Sequence, residues 1–243
     1  MKHRFTRAAA AGAATAAAAA VVVTAPAAQA QEQPPIQPGV SIETGGGFCT
    51  LNWIYDGTGG NDGKVYGGTA AHCVSSEGQR ISLATGSLGE PIEEFGTVRY
   101  IDNNLDYAFI QIDADKLSRV DPAMKGHPQI PTGVSTSKNL GDLMRFSGNG
   151  VGFHLLPVTQ EQRVGVLHSN DGTQHYILGA VTPGDSGGPV ANLTDGGKAF
   201  GIVNTVGAGV NGLPYAGEGG VSLEGMLSDA GAGGFPVRVR TVG

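Results

Sequence analysis

Pro183-Gly184-Asp185-Ser186-Gly187-Gly188-Pro189 sets one hydroxyl among glycines. Glycine reaches backbone conformations closed to other residues, so Ser186 can sit on a sharp, open turn. Small neighbours let a carbonyl group approach. They also leave peptide N–H groups free to converge, and those of Gly184 and Ser186 are placed to bind an oxyanion. Taken alone, the stretch also fits an ordinary glycine-rich turn.

A serine hydroxyl is a weak nucleophile near pH 7 and needs a base. Thr69-Ala70-Ala71-His72-Cys73 offers one, because an imidazole titrates in the right range. A histidine beside a cysteine in an exported chain is otherwise structural. The imidazole in turn needs a carboxylate to fix its tautomer and stabilise its cation. Asn103-Asn104-Leu105-Asp106-Tyr107-Ala108 supplies Asp106 among apolar neighbours, where an unpartnered charge is costly. The competing account of Asp106 is a strand-edge residue capping a turn. Asp102 and Asp113 are rivals for its role but read as solvent-facing. The three groups follow the order His, Asp, Ser at separations of 34 and 80 residues, and the combination is far more specific than any one of them.

Working outward, runs rich in Val, Ile, Tyr and Phe recur between Gly, Asn and Asp. Asn52–Tyr55 and Lys64–Tyr66 flank a hairpin signal, DGTGGNDG. Further strands are read at 96–101, 107–112, 143–146, 162–168, 175–181, 190–193 and 198–204. No segment sustains a 3.6-residue period; 70–74 reads as one helical turn and 223–230 as a short helix interrupted by Gly225. The class is all-β. Residues 121–137 hold three prolines and little periodicity, and read as a crossing between β-domains over 41–120 and 138–243. No sequence repeat relates the two halves.

The formal net charge of −6 excludes the basic face of a nucleic-acid binder, and 40% apolar residues exclude wholesale disorder. Lys2, Arg4 and Arg7 precede an Ala-rich run, Val21-Val22-Val23 and the small-x-small site Ala28-Gln29-Ala30. That order is a secretory signal peptide over residues 1–30; an uncleaved anchor is the alternative. Its removal leaves 12 basic and 21 acidic groups, a secreted, extracellular chain of net charge −9 with no membrane partner. Residues 31–40 read as a short linker or pro-segment. Cys49 and Cys73 are the only cysteines, and export makes a disulfide the default, closing about 24 residues for roughly 3 kcal/mol. No cofactor is expected. Metal sites through His154, His168 and His175, or calcium through Asp56, Asn61 and Asp62, are weaker readings than turns at the same positions.

At TAAHC and GDSGGP the chain resembles the chymotrypsin-like serine peptidases, and its layout agrees with them over residues 41–230. The resemblance implies two six-stranded antiparallel Greek-key β-barrels with the active site in the cleft between them, and a short C-terminal helix. His72 would be general base and then acid, Asp106 its orienting group, Ser186 the nucleophile. The Gly184 and Ser186 amides would form the oxyanion hole. Cys49–Cys73 would be the family's bridge beside the histidine.

The proline before GDSGG and the NNxDYA phrase are similar to the bacterial, streptogrisin-like branch. There an internal arginine pairs with the aspartate before the nucleophile, which here implies Arg145 with Asp185; a surface role for Arg145 is the alternative. No amino-terminal activation site is found near residues 38–48. The primary pocket would be lined by Ala180 and Val181 and faced by Asn204, Thr205 and Val206. With no carboxylate at position 180, small or medium apolar side chains are expected before the cut. Three departures stand out: Asn204 replaces a serine that supports the triad aspartate, second-barrel disulfides are absent, and the pro-region spans only about ten residues. The implied partners are protein or peptide substrates, acted on by a monomer. A catalytically weak surface-binding protein of the same fold, or an esterase using the same serine, are the alternatives.

Overall fold

The computed structural model describes residues 33–45, 47–85, 90–150, 162–207 and 217–243. The signal peptide expected over 1–30 and His154 lie outside the described residues, as does the side chain of Val206. Among the described residues no helix is long and apolar enough to cross a membrane.

The first sheet contains β1 (Ser41–Glu43), β2 (Phe48–Thr50), β3 (Ile54–Gly57), β4 (Val65–Thr69), β5 (Arg80–Thr85), β6 (Glu90–Asp102) and β7 (Tyr107–Ile112). It also takes β14 (Val237–Val239) from the carboxyl end, giving the order β14-β3-β4-β7-β6-β5-β1-β2. Only Leu51-Asn52-Trp53 separates β2 from β3. Leu51 exchanges backbone hydrogen bonds with Gly39 and Val40 at 2.8 and 2.9 Å, while the Asn52 N–H donates to the Gly68 carbonyl at 2.8 Å. Residues 48–57 are thus one bent strand bonded to β1 at one end and β4 at the other, and the sheet curls shut through it.

The second sheet is a closed barrel of β8 (Leu143–Ser147), β9 (Gln162–Asn170), β10 (Gln174–Leu178), β11 (Pro189–Asn192), β12 (Lys198–Gly207) and β13 (Gly217–Ser222), ordered β10-β13-β12-β11-β8-β9. With 48–57 counted as one strand, both barrels follow the same Greek-key order: second, third, sixth, fifth, fourth, first. The halves repeat in topology although they do not repeat in sequence. Closure leaves few unpaired edges, and the short β14 covers the outer side of β3.

Strand parity sorts the apolar residues. In β7, Ile110 and Ile112 point into the first barrel with Ile54, Ile81, Phe95 and Val98. Tyr107 and Phe109 point the other way, into a layer shared with Ile202, Val221 and Met226. That shared layer cements the two barrels, and the buried Trp53 donates its indole N–H across it to the Gly201 carbonyl at 3.1 Å. The second interior holds Met144, Phe146, Leu167, Ile177, Val190 and Phe200.

Helix α1 (Leu223–Ala232) buries Leu223, Met226 and Ala230, the i, i+3, i+7 face of a short amphipathic helix. Gly225 is where its backbone meets the β9–β10 turn; a Cβ there would press on Thr173 and Gly172. Beyond it Phe235 stacks on Phe109, and β14 pairs with β3, with Arg240 bonded to Asp56. The alternating tail is therefore a strap from the second barrel onto the first. At the other end, Ile36 is fully buried, its N–H donating to Arg119 and its carbonyl accepting from Asp121, within the stretch read as a linker.

Candidate active site

His72 sits on a single 3-10 turn, Ala71–Cys73, directly after β4. The bridge from Cys73 to Cys49 on β2 anchors that turn. Asp106 closes the β6–β7 turn at φ +59°, a left-handed backbone that aspartate tolerates better than most residues. Asp102 builds this turn, accepting from the N–H groups of Asn104 and Leu105 at 2.9 and 2.7 Å. Asp113, the other rival, is held by Arg80.

Both oxygens of Asp106 are directed at His72. Oδ1 accepts the His72 backbone N–H at 2.9 Å, and Oδ2 meets Nδ1 at 2.8 Å. The ring and its own peptide are clamped by one carboxylate, which leaves Nε2 as the outward nitrogen. The hydrogen bond to Asp106 raises the His72 pKa above its ordinary 6.5, partial burial opposes this, and the Asp106 charge adds to the rise.

In the sequence Asn204 stands as a departure, in place of the serine that supports the triad aspartate in the family. Its amide donates to the backbone carbonyls of Leu105 and Asp106, at 3.0 and 2.8 Å. One planar NH₂ group thus holds two successive carbonyls of the left-handed turn, and the side chain faces the first barrel.

Ser186 lies between Gly184 at φ +102° and Gly187 at φ +82°. Its carbonyl accepts from the Thr50 N–H at 2.9 Å and lies 3.9 Å from the disulfide sulfur of Cys73, a contact without a proton. A Cβ at Gly187 would strike Thr69, Thr50 and the Ala70 amide, so only glycine lets this loop lie on the segment that carries His72. The structure thus brings the backbone of Ser186 and the turn bearing His72 together. Among the described residues no hydrogen bond joins the two side chains. The N–H groups of Asp185, Gly187 and Gly188 donate to Thr182, Val203 and Asp185. Those of Gly184 and Ser186 donate to no described residue, which is the state an oxyanion hole requires.

The arginine expectation is corrected here. Asp185, 1% exposed, is paired with Arg163, whose Nη2 lies 2.6 Å from Oδ1; the Gly150 and Thr182 N–H groups donate to the same carboxylate at 2.9 and 2.8 Å. Arg145 meets His127 at 2.8 Å. The reason is strand parity. In β8, Met144 and Phe146 face the barrel interior, so Arg145 faces outward; in β9, Arg163 shares the inward face with Gly165 and Leu167.

Ala180 is exposed and Val181 buried, just beyond β10, and Thr205 is exposed on β12. A cavity of about 180 Å³ lies behind Asp106, against Asn204, Thr205 and Gly220, and one of about 270 Å³ lies beside His72 against Phe48 and the disulfide. Among the described residues the single cluster with metal-ligand types is Cys49, His72 and Cys73, and its sulfurs are joined to each other. His168 rests edge-on against Tyr176, and His175 contacts Glu218.

No protein-family model and no curated protein matches this sequence. Solved structures do. Thermobifida fusca Protease A is 18% identical over 85% of this chain and 98% of its own, with a TM-score of 0.59. A glutamic-acid-specific serine protease, described as using a histidine triad in substrate binding, is 20% identical over 84% of this chain and 100% of its own, also at 0.59. Cellulomonas bogoriensis chymotrypsin is 17% identical over 85% and 98%, at 0.56. The chain has the two-barrel chymotrypsin-like fold of these serine proteases.

Proposed function

We propose that the protein is a serine endopeptidase with His72, Asp106 and Ser186 as its catalytic triad. The observation that carries this reading is the two-point clamp of Asp106 on His72 beside a loop with two uncommitted amides. In the reaction, Ser186 Oγ attacks the scissile carbonyl while Nε2 of His72 takes its proton. The Gly184 and Ser186 N–H groups receive the negative oxygen. His72 then protonates the departing amine, leaving an acyl-enzyme, and water activated by the same nitrogen releases the acid. Asp106 holds the proton on Nδ1 throughout. The Asp185–Arg163 pair keeps the loop shaped without any newly cut amino terminus.

The substrates are proteins or peptides. Small or medium apolar side chains before the cut are supported by Ala180, which brings no charge to the pocket wall. Cleavage of residues 1–30 as a signal peptide would deliver the enzyme outside the cell as a monomer.

The test uses the secreted protein on unfolded casein, with fluorophosphonate labelling of wild type and Ser186→Ala. Labelling and cleavage that both vanish in the variant are expected. Labelling that survives Ser186→Ala, or wild type that leaves casein intact, would remove the proposal.

The raised His72 pKa has a sign. The base must be neutral to accept a proton, so kcat/KM falls as pH drops through the folded-state pKa. The acid limb is therefore expected above 6.5, and above its position in Asp106→Asn. The same shift makes the His72–Asp106 contribution to stability complete below the unfolded pKa and lost as pH rises through the folded one. A pH–rate profile with its acid limb below that of the variant would contradict this.

A further inference from the structure

The interior of the second barrel holds a pair of ionisable groups that the reaction above does not use. Nε2 of His175 on β10 lies 3.0 Å from Oε1 of Glu218 on β13, and both side chains are 0% exposed. The ring stands over Gly201 and Gly220, where any Cβ would collide with it, and lies 5.1 Å from Phe200. Room has thus been made for a histidine inside an apolar barrel. The second nitrogen of His175 and the second oxygen of Glu218 find no hydrogen-bond partner among the described residues. Burying such a pair costs several kcal/mol per ion, and well-packed apolar side chains serve stability as well or better. Burial pushes the Glu218 carboxyl upward, His175 opposes the rise, and the charge of Asp185 adds to it, so this carboxylate lies within electrostatic reach of the residue before Ser186.

The position suggests a use. β13 runs between β10 and β12, and Glu218 is paired in register with Ile177 on one side and Val206 on the other. The chain leaving β10 becomes Ala180 and Val181, and β12 carries Thr205 and Val206. Glu218 therefore stands on the strand that lies between the two strands leading to the walls assigned to the primary pocket.

We infer that Glu218 is a specificity-determining carboxylate beneath the primary pocket, and that His175 is the hydrogen-bonding partner that keeps it from selecting cationic side chains. The inference rests on the endopeptidase reading and names the substrate class for the same site. A bare carboxylate in a low-dielectric site attracts lysine or arginine; one whose Oε1 is engaged by the His175 ring at 3.0 Å has that oxygen already taken and draws a cation far less. The pair reconciles a carboxylate at this place with a preference for uncharged residues.

The test compares peptides differing only in leucine or lysine before the cut. Wild type is expected to favour leucine. His175→Gln and His175→Phe are each expected to raise the lysine-to-leucine ratio of kcat/KM by about tenfold or more, about 1.4 kcal/mol. Adding Glu218→Gln to either should return the ratio to that of wild type. Binding of benzamidine, an aromatic cation, should strengthen in parallel in a Ser186→Ala background, a readout that needs no hydrolysis and so separates this inference from the protease reading. A ratio that moves less than about twofold in variants that still cleave leucine peptides, with benzamidine binding unchanged, would overturn the assignment. Failure of both His175 variants to yield folded protein would also overturn it, by placing the pair in the service of barrel stability.

Discussion

Asp106→Asn is expected to fold normally and to lose about 10⁴-fold in kcat. Asparagine keeps one oxygen to accept the His72 backbone N–H, now bonded at 2.9 Å to Oδ1. Its NH₂ group then faces Nδ1, where Oδ2 stands at 2.8 Å. A donor in that place makes Nδ1 an acceptor, which moves the ring proton to Nε2. An Nε2 that already carries a proton cannot take one from Ser186. The fold has no reason to follow, since asparagine tolerates φ +59° and the Asn204 bonds to the carbonyls of Leu105 and Asp106 do not involve the changed atoms. The check is kcat on a peptide substrate together with a thermal melt. A folded variant within about tenfold of wild type would mean that this carboxylate does not set the tautomer.

Which parts of this arrangement were legible in the sequence depended on whether the signal was local. The three segments around His72, Asp106 and Ser186 are local signals: a turn, a small-residue loop, a carboxylate among apolar neighbours. β7 announced itself through six residues of β-forming character, and the structure uses both of its faces. β13 did not. Gly217-Glu218-Gly219-Gly220 has almost no intrinsic strand propensity, and the pairing with β10 and β12 overrides it. Gly220 is required there because the ring of His175, forty-odd residues earlier, occupies its side-chain space. β1, β2 and β5 were missed as well, although β1 pairs with the adjacent β2 and β5 with the adjacent β6; only the β1–β5 pairing joins segments far apart in the chain. Asn204 was placed beside Asp106 by its position in the motif, but the acceptors of its amide were set by the left-handed turn at Asp106, which no residue pattern declares.

The arginine assignment shows what parity adds to a motif. Arg145 and Arg163 both lie on strands near the nucleophile loop, and spacing alone does not choose between them. Alternation does: Met144 and Phe146 mark the inward face of β8, and Arg145 falls between them. In Arg163-Val164-Gly165-Val166-Leu167 the exposed residues are Val164 and Val166, so Arg163 joins the inward set. Side chains that alternate with a period of two put Arg163, and not Arg145, on the face that Asp185 shares.

Arg163→Leu should accordingly be the most destabilising single change near the loop, lowering stability by about 3–5 kcal/mol. Both partners are almost wholly buried, with side-chain exposures of 4% and 1%, so removing the guanidinium strands a carboxylate away from water. The N–H groups of Gly150 and Thr182 still bond Asp185, but they carry no net charge. The loop answers by turning Asp185 outward, and Gly184 and Ser186 turn with it, so activity falls with stability. Adding Asp185→Asn removes the stranded charge and should restore most of the stability without restoring full activity. Arg145→Ala, whose guanidinium meets His127 on the outer face, should change stability by less than about 1 kcal/mol and leave turnover intact. Urea unfolding of the four proteins, with peptide turnover on each, decides the matter. If Arg145→Ala proved the more damaging of the two single changes, the inward strut would be the wrong arginine and the loop would be held by some other contact.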